Sequence, residues 1–235
     1  MSLDARETQT TVNSDAVIHD PAFRRWIEQA LAAGEHRLAQ GNQGALLLYA
    51  VGEHRLVVKC PEGSVWRRAF HRWGLRRERA AYARLAGLEG VPRCLGMVAD
   101  RYLVLEYRAG TPYRHASLDD RTAWFEALRA LIDAIHARGV CHADLKRKSN
   151  ILVTPDQRPC VLDFGAASIR KSRWHVLNNL MFRFGCRLDR NAWVKHKYHG
   201  RYEHAHAGDR AALRYSLIER LLRWRRLRKR RREET

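Results

Sequence analysis

The segment from His142 to Gly165, HADLKRKSNILVTPDQRPCVLDFG, constrains the fold more than any other part of the chain. Two short apolar runs within it, Ile151–Val153 and Cys160–Leu162, flank a Pro-Asp-Gln turn, and this pattern predicts two short strands. An aspartate and an asparagine precede the first run, and another aspartate follows the second. Because carboxylate and amide oxygens suit a hard cation such as Mg2+, the segment predicts a metal-assisted site beside the strands.

The order of the remaining predicted elements indicates the fold class. Strand patterns dominate the first half of the chain and helix patterns the second, which predicts a two-lobed α+β protein. Helices are predicted over Pro21–Leu38, Arg67–Leu85 and Leu118–Arg138, and strands over Ala45–Val51, Arg55–Cys60 and Arg101–Tyr107. Asp20 precedes Pro21 and is the predicted N-cap of the first helix.

The central segment resembles the catalytic loop and the Asp-Phe-Gly motif of the protein-kinase superfamily. This resemblance implies that Asp144 is the catalytic base and that Lys146 steadies the transferred phosphoryl group. It also implies that Asn150 and Asp163 bind Mg2+. The family places the asparagine five residues after the catalytic aspartate, whereas here the separation is six. A one-residue bulge would restore the direction of the asparagine, and Ser149 is the alternative ligand.

Two residues upstream extend the resemblance. Lys59 ends the strand-like run LVVK and is similar to the lysine that binds the α- and β-phosphates of ATP. Glu78 lies nineteen residues further on, in a helical segment, and is similar to the glutamate that pairs with this lysine. Without the resemblance, Glu78 would be read as a surface acid that pairs with the arginines around it.

The adenine and phosphate contacts are implied at two further places. The run Leu105-Glu106-Tyr107 resembles the hinge of kinases, so the resemblance implies that the backbone of Glu106 and Tyr107 binds adenine. The run Gly41-Asn42-Gln43-Gly44 precedes a predicted strand and stands where the family has its glycine loop. Backbone N–H groups around Gly41 and Gly44 would then contact phosphates, although the full GxGxxG pattern is missing.

The length of the chain after the Asp-Phe-Gly motif narrows the subgroup. Only seventy residues follow Gly165, and no Ala-Pro-Glu motif occurs among them. This shortened form resembles the compact bacterial kinases of the lipopolysaccharide core, which act on Kdo or heptose, and more distantly the RIO kinases. The implied organisation is a disordered stretch over 1–20, a β-rich N-lobe over 21–105, and a reduced helical C-lobe over 106–235.

The charge of the chain predicts an anionic partner. The sequence holds 44 Lys and Arg against 25 Asp and Glu, a net charge of +19. The stretch Arg223–Arg232 carries eight basic residues in ten, after a predicted amphipathic helix over Leu213–Trp224. An anionic membrane surface or glycolipid is one interpretation of this end, nucleic acid a weaker one, and a structural helix with a solvated tail a third.

These observations lead to three functional hypotheses. The first is an ATP- and Mg2+-dependent kinase that phosphorylates a sugar of the lipopolysaccharide core, cytoplasmic or peripheral on the inner face of the cytoplasmic membrane. The second is a RIO-like or Ser/Thr protein kinase, and the third is a degenerate kinase that acts as a nucleotide- or lipid-binding scaffold. The five widely spaced cysteines argue against a disulfide framework, and no apolar signal segment opens the chain.

Overall fold

The computed structural model describes residues 17–41, 44–51, 54–201 and 204–212. The chain divides into two compact units. The first unit comprises Met1–Ala80 and Arg93–Tyr107, and the second comprises Ala81–Pro92 and Arg108–Thr235. The first unit is built around an antiparallel sheet and the second is rich in helix, so the predicted α+β class is confirmed. The stretch predicted to be disordered is 1–20, and its residues 1–16 lie outside the described residues.

The first unit contains a five-stranded antiparallel sheet with strand order β1-β2-β3-β5-β4. Its elements are α1 (Pro21–Ala33), β1 (Arg37–Gly41), β2 (Gly44–Val51), β3 (His54–Pro61), most of α2 (Val65–Arg84), β4 (Cys94–Val98) and β5 (Tyr102–Glu106). The strands predicted over Ala45–Val51, Arg55–Cys60 and Arg101–Tyr107 are therefore confirmed as β2, β3 and β5. Alternate strand residues, Leu47, Val58 and Val104 among them, pack with α1 in a buried core.

Helix α1 begins where the sequence predicts and ends earlier. The side chain of Asp20 accepts a hydrogen bond from the backbone N–H of Ala22, at 2.7 Å, which caps the first turn. Gly34 adopts a left-handed conformation, φ 72°, and its N–H donates to the carbonyl of Ala30. A glycine reaches this conformation without strain, so it ends the helix. The predicted helix up to Leu38 is therefore wrong beyond Ala33, and β1 follows instead.

The second unit combines helices with two small sheets. Its elements are the end of α2, β6 (Thr111–Pro112), α3 (Arg121–Ala137), β7 (Val140–Cys141), β8 (Ile151–Val153), β9 (Pro159–Val161), β10 (Ser168–Ile169), α4 (Val176–Lys197) and α5 (Ala207–Ala212). Strands β6, β8 and β9 form one sheet, and β7 pairs with β10 in the other. The strands predicted on either side of the Pro-Asp-Gln turn are thus present as the antiparallel pair β8 and β9.

Helices α3 and α4 form the body of the second unit. One face of α3 is buried over its whole length and includes Phe125, Leu128 and Ile135. The indole Nε1 of Trp193, on α4, donates to the carbonyl of Phe125 at 2.7 Å. Because this bond is buried and joins the two helices, it specifies where α4 lies along α3.

The predictions about the C-terminal end concern residues that the structure does not describe. The predicted helix over Leu213–Trp224 and the basic stretch Arg223–Arg232 both lie beyond Ala212, the last described residue. In the described part of the chain, no helix combines the length and the apolarity that crossing a bilayer requires.

Candidate functional site

The first unit contains a buried ion pair between Lys59 and Glu78, the two residues that the resemblance predicts to pair. Nζ of Lys59, on β3, lies 2.6 Å from Oε1 of Glu78, on α2. The Glu78 side chain is 1% exposed and that of Lys59 is 15% exposed. Two of the arginines near Glu78, Arg72 and Arg76, contact Asp100 instead. The predicted pairing is confirmed, and the role of this lysine in binding phosphate stays a prediction.

The two glycines of the predicted phosphate loop face each other across a hairpin. Gly41 ends β1 and Gly44 begins β2, and the two residues are paired in the sheet. Gly44 has φ 140°, and a side chain there would overlap the carbonyl oxygen of Cys60 on β3. Gly44 is therefore needed for the close approach of β2 to β3. The residues between the two glycines lie outside the described residues, so phosphate contact stays a prediction.

The predicted hinge residues stand at the end of β5. The N–H of Glu106 donates to the carbonyl of Arg93 at 2.8 Å, and its carboxylate accepts from the N–H of Arg93 at 3.0 Å. The N–H of Tyr107 donates to the carbonyl of Arg55 at 3.1 Å. Since this N–H is used within the sheet, an adenine bound here would have to use other backbone groups of the segment.

The second unit holds the loop with the predicted catalytic base. Asp144 is half-buried, and its Oδ2 lies 3.1 Å from Nε of Arg147. Its backbone N–H donates to Nδ1 of His142 at 3.3 Å. Lys146 follows on the exposed side of the same loop. Arg147 thus occupies one oxygen of Asp144, and an acceptor hydroxyl would have to use the other oxygen or displace the arginine.

Asn150 is tied directly to the backbone of the predicted base. Its Nδ2 donates to the carbonyl of Asp144 at 3.1 Å, and its side chain is buried. The six-residue spacing is taken up by a turn in which Arg147 N–H donates to the Asp144 carbonyl, followed by a 3-10 turn over Lys148–Asn150. Ser149 Oγ lies 3.5 Å from Oδ1 of Asn150. This amide orientation leaves Oδ1 as the atom that can bind a cation.

Asp163 lies two residues after the end of β9, in a conformation that few residues adopt. It has φ 64° and ψ 72°, in the left-handed region. Its N–H donates to the hydroxyl of Tyr82 at 3.3 Å. Phe164 is buried and packs edge-on against Tyr82, with ring centroids 5.0 Å apart. Left-handed backbone for a non-glycine residue costs free energy, and the surrounding buried contacts hold it in place.

Two α4 residues that the sequence did not predict support the loop that carries Asp144. Asp189 is 1% exposed, and its carboxylate accepts from the N–H groups of His142 and Ala143, each at 2.8 Å. His196 Nε2 donates to the carbonyl of Leu145 at 2.8 Å. Sequence offers one weak signal, since Asp189 is the first acid after Asp163. These bonds fix the backbone on both sides of Asp144.

His142 supports the loop from within. Its Nε2 donates to the carbonyl of Leu162 at 2.7 Å, and its ring lies 4.9 Å from that of Phe164. Since Leu162 and Phe164 flank Asp163, His142 links the predicted base segment to the predicted metal segment.

A titratable cluster lies behind the loop, formed by His136, Cys141, Cys186 and Asp189. Burial lowers the pKa of His136, but the hydrogen bond that its Nε2 donates to Asp189 and the contact with Cys186 outweigh it and hold the pKa at about 9, above the ordinary 6.5. The hydrogen bond with Cys141 lowers the pKa of Cys186 and, together with burial, raises the pKa of Cys141. His136 is thus held as a cation beside Asp189 at neutral pH.

This cluster predicts a pH dependence of stability. A folded-state pKa of about 9 against 6.5 corresponds to as much as about 3 kcal/mol, fully present below pH 6.5 and lost as the pH rises through about 9. We expect His136→Gln to destabilise the protein more at about pH 6 than at about pH 10, as measured by urea unfolding. Because Cys186 titrates in the same range with the opposite sign, both proteins carry Cys186→Ala. An equal effect at the two pH values would contradict the ion pair.

The oxygen donors present fit a small hard cation. Asn150 Oδ1 and the Asp163 carboxylate are the ligand type that Mg2+ takes, and both belong to the second unit. The described residues contain no group of three His, Cys, Asp or Glu side chains that could hold a metal ion by themselves. A cation bound by Asn150 and Asp163 would therefore complete its shell with water and substrate oxygens, as Mg2+ does in phosphoryl-transfer sites.

Comparison with known proteins gives a family match for the central part of the chain. Residues 103–170 match the family model of the phosphotransferase enzyme family, APH, which is part of the protein-kinase-like superfamily. The matched segment runs from β5 to the residue after β10 and includes Asp144, Asn150 and Asp163. No curated protein matches the chain. The match supports kinase-type phosphoryl transfer, and it points neither to the lipopolysaccharide core kinases nor to the RIO kinases.

Proposed function

We propose that this chain is an ATP- and Mg2+-dependent kinase that transfers the γ-phosphoryl group to a sugar hydroxyl of a lipopolysaccharide core precursor. The observation that carries the proposal is the bond from Asn150 Nδ2 to the carbonyl of Asp144, because it joins a base and a metal ligand in one rigid loop. Phosphoryl transfer needs mainly positioning and charge stabilisation, and rigid placement of these two groups serves both.

Each predicted residue has a role that its surroundings support. Asp144 orients the acceptor hydroxyl and accepts its proton as the oxygen attacks phosphorus. The backbone bonds from Asp189 hold Asp144 in position, and Lys146 on the exposed side of the loop neutralises the transferred group. In the first unit, the buried carboxylate of Glu78 holds the Lys59 amine in one position for the nucleotide phosphates. When bound at Asn150 and Asp163, Mg2+ would neutralise phosphate charge.

The distribution of charge supports a small anionic acceptor. Residues 170–235 hold 20 Lys and Arg against 6 Asp and Glu. A cationic surface favours an acceptor that already carries anionic groups, as a phosphorylated core sugar does.

A protein acceptor is the second candidate. Lys146 follows Asp144 at the position associated with Ser/Thr kinases, and it is exposed. The same residue would serve a serine hydroxyl as well as a sugar hydroxyl. The ion pair between Arg147 and Asp144 supports a third candidate, a chain that binds nucleotide without transferring phosphate, because it occupies one oxygen of the base.

One experiment separates the three candidates. The full chain is incubated with γ-labelled ATP and Mg2+ in the presence of lipopolysaccharide core oligosaccharide or casein, with Asp144→Asn as the matched inactive control. Label in the oligosaccharide that Asp144→Asn does not transfer supports the proposal. Label in casein alone favours the protein kinase, and ATP binding without transfer to either favours the scaffold.

The loop geometry predicts a ranking of two neighbouring substitutions. Asn150→Ala should lower phosphoryl transfer about a hundredfold or more, because it removes both Oδ1 and the bond to the Asp144 carbonyl. Ser149→Ala should change the rate less than about threefold, since its hydroxyl makes one long contact, 3.5 Å, to Asn150. Initial rates at saturating Mg2+ measure both effects. The reverse ranking would make Ser149 the ligand.

A further inference from the structure

Helix α4 carries an exposed apolar stripe, and an exposed tryptophan precedes the helix. Along the first half of α4, Leu177, Leu180, Met181 and Phe184 recur at helical spacing on one exposed face. Leu177 is 74% exposed, and Trp174, just before the helix, is 77% exposed, with the guanidinium of Arg173 over its ring at 4.7 Å. Soluble proteins rarely leave a contiguous apolar patch of this kind uncovered, so the stripe indicates a binding surface.

Positive charge borders the apolar stripe. Residues 170–188 contain five Lys and Arg and no Asp or Glu. Arg183 and Arg187 lie one turn apart on α4, and neither makes an ion pair or a hydrogen bond with any residue in the described ranges. The first acid on the helix, Asp189, is buried and bonded to the catalytic loop. The charge beside the stripe is therefore not neutralised by the helix itself.

A cavity lies beside the same arginines. Its volume is about 650 Å³, and its lining includes Arg129, Arg183, Arg187 and Arg190 together with Phe182 and Trp193. Asp133 also lines it and pairs with Arg190 at 3.2 Å and with Arg129 at 3.9 Å. Arg183 and Arg187 remain for a ligand, so the cavity can take an anionic group with an apolar part attached.

We propose that this face, defined by Trp174, the α4 stripe Leu177–Phe184 and the bordering Arg183 and Arg187, is a docking surface for anionic phospholipid bilayers. Interfacial helices combine a row of Leu, Phe and Trp with Lys and Arg beside it, and they lie in the plane of the membrane. Trp174 is the residue type that prefers the headgroup level. The arginines bind lipid phosphates, and the cavity accommodates one headgroup. The proposal does not depend on the acceptor of the phosphoryl group.

Charge favours a membrane over the other occupants. A second copy of this face would bring Arg183 and Arg187 of two molecules together, and like charges at close range are repulsive. The chain's own C-terminal segment, residues 213–235, holds ten Lys and Arg against three Glu, so it would meet the same repulsion. An anionic leaflet offers both the apolar interior that the stripe needs and the phosphates that the arginines need.

The test is co-sedimentation of the full chain with vesicles of phosphatidylcholine and phosphatidylglycerol in a seven-to-three ratio, compared with pure phosphatidylcholine. We expect binding to the anionic vesicles only. Arg183→Gln with Arg187→Gln should lower the partition coefficient about tenfold or more, and Leu177→Gln with Leu180→Gln should do the same. These side chains are exposed, so circular dichroism and thermal unfolding should match the unchanged protein.

Matched control variants distinguish vesicle binding through this face from a general attraction of the protein to the vesicles. Arg114→Gln with Lys195→Gln removes the same charge from exposed positions outside the face, and Leu38→Gln with Val51→Gln removes exposed apolar groups elsewhere. Both controls should bind within about twofold of the unchanged protein. Trp66→Gln with Phe70→Gln tests the exposed aromatic pair on α2.

Several results would overturn the proposal. The first is that both α4 variants bind the vesicles as well as the unchanged protein does, while a chain cut after Leu222 no longer binds. The tail would then be the part of the protein that binds the membrane. Another is loss of binding in the α2 variant alone. A third is absence of vesicle binding together with a dimer that the Leu177 and Leu180 substitutions dissociate, since the stripe would then contact a second copy.

Discussion

Replacement of Asp163 or Asp144 by asparagine is expected to lower phosphoryl transfer about a thousandfold while the protein stays folded. Both substitutions keep the size of the side chain. The bond between Asn150 and residue 144 uses a backbone carbonyl, which the substitution leaves in place. Asparagine also tolerates the left-handed conformation found at Asp163. The loss would therefore come from the missing carboxylate charge and not from a damaged loop.

The two variants should differ in how they bind nucleotide. Asp163→Asn should remove the tightening of ATP binding by Mg2+, measured by calorimetry with and without the ion, because it weakens the metal ligand. Asp144→Asn should keep that tightening, because the base does not bind the metal in the proposed site. Asp156→Asn, in the exposed turn between β8 and β9, is the matched control and should keep full activity. If Asp144→Asn kept most of its activity, Asp144 would not be the base.

The second large effect is expected at Asp189. Asp189→Ala should lower the free energy of unfolding by about 3–5 kcal/mol, since it leaves the N–H groups of His142 and Ala143 and the cation of His136 without their buried acceptor. For a protein of this size, that loss corresponds to a fall in Tm of roughly 6–20 °C. Thermal and urea unfolding measure it directly.

A control substitution on α3 tests whether the burial of Asp189 causes the expected loss of stability. Asp133→Ala removes an exposed carboxylate that also pairs with arginines, and surface pairs contribute up to about 1 kcal/mol. We expect Asp133→Ala to stay within that range. A loss below about 1 kcal/mol for Asp189→Ala would contradict the structural role assigned to this residue. Where enough folded Asp189→Ala remains, its rate of phosphoryl transfer should fall as well, because Ala143 precedes the proposed base.

The elements that the sequence predicted correctly are those whose signals are local. The strands β8 and β9 show apolar runs on either side of a turn, and α3 shows an apolar stripe along one face. The pair Lys59 and Glu78 is not local, but the family resemblance supplied its spacing. In these cases the side chains that make the pattern are the ones that the fold buries.

Other elements and contacts were not predicted, because their sequence patterns do not reflect which side chains the fold buries. No helix was predicted over α4, whose most regular apolar residues, Leu177, Leu180 and Met181, are exposed and so do not mark a core face. Asp189 reaches His142 across 47 positions, and nothing near either residue signals the contact. The early end of α1 depends on the conformation of Gly34, which a helical pattern continuing to Leu38 conceals.

Gly185 has a consequence for how related chains should vary. A side chain at this position on α4 would overlap the sulfur of Cys141 on β7, so only glycine lets the two elements approach this closely. Asp189 lies one turn further along the same helix and can reach His142 because of that approach. We therefore expect positions 141, 185 and 189 to covary: chains with a larger residue at 185 should carry a smaller one at 141, or should have given up the aspartate.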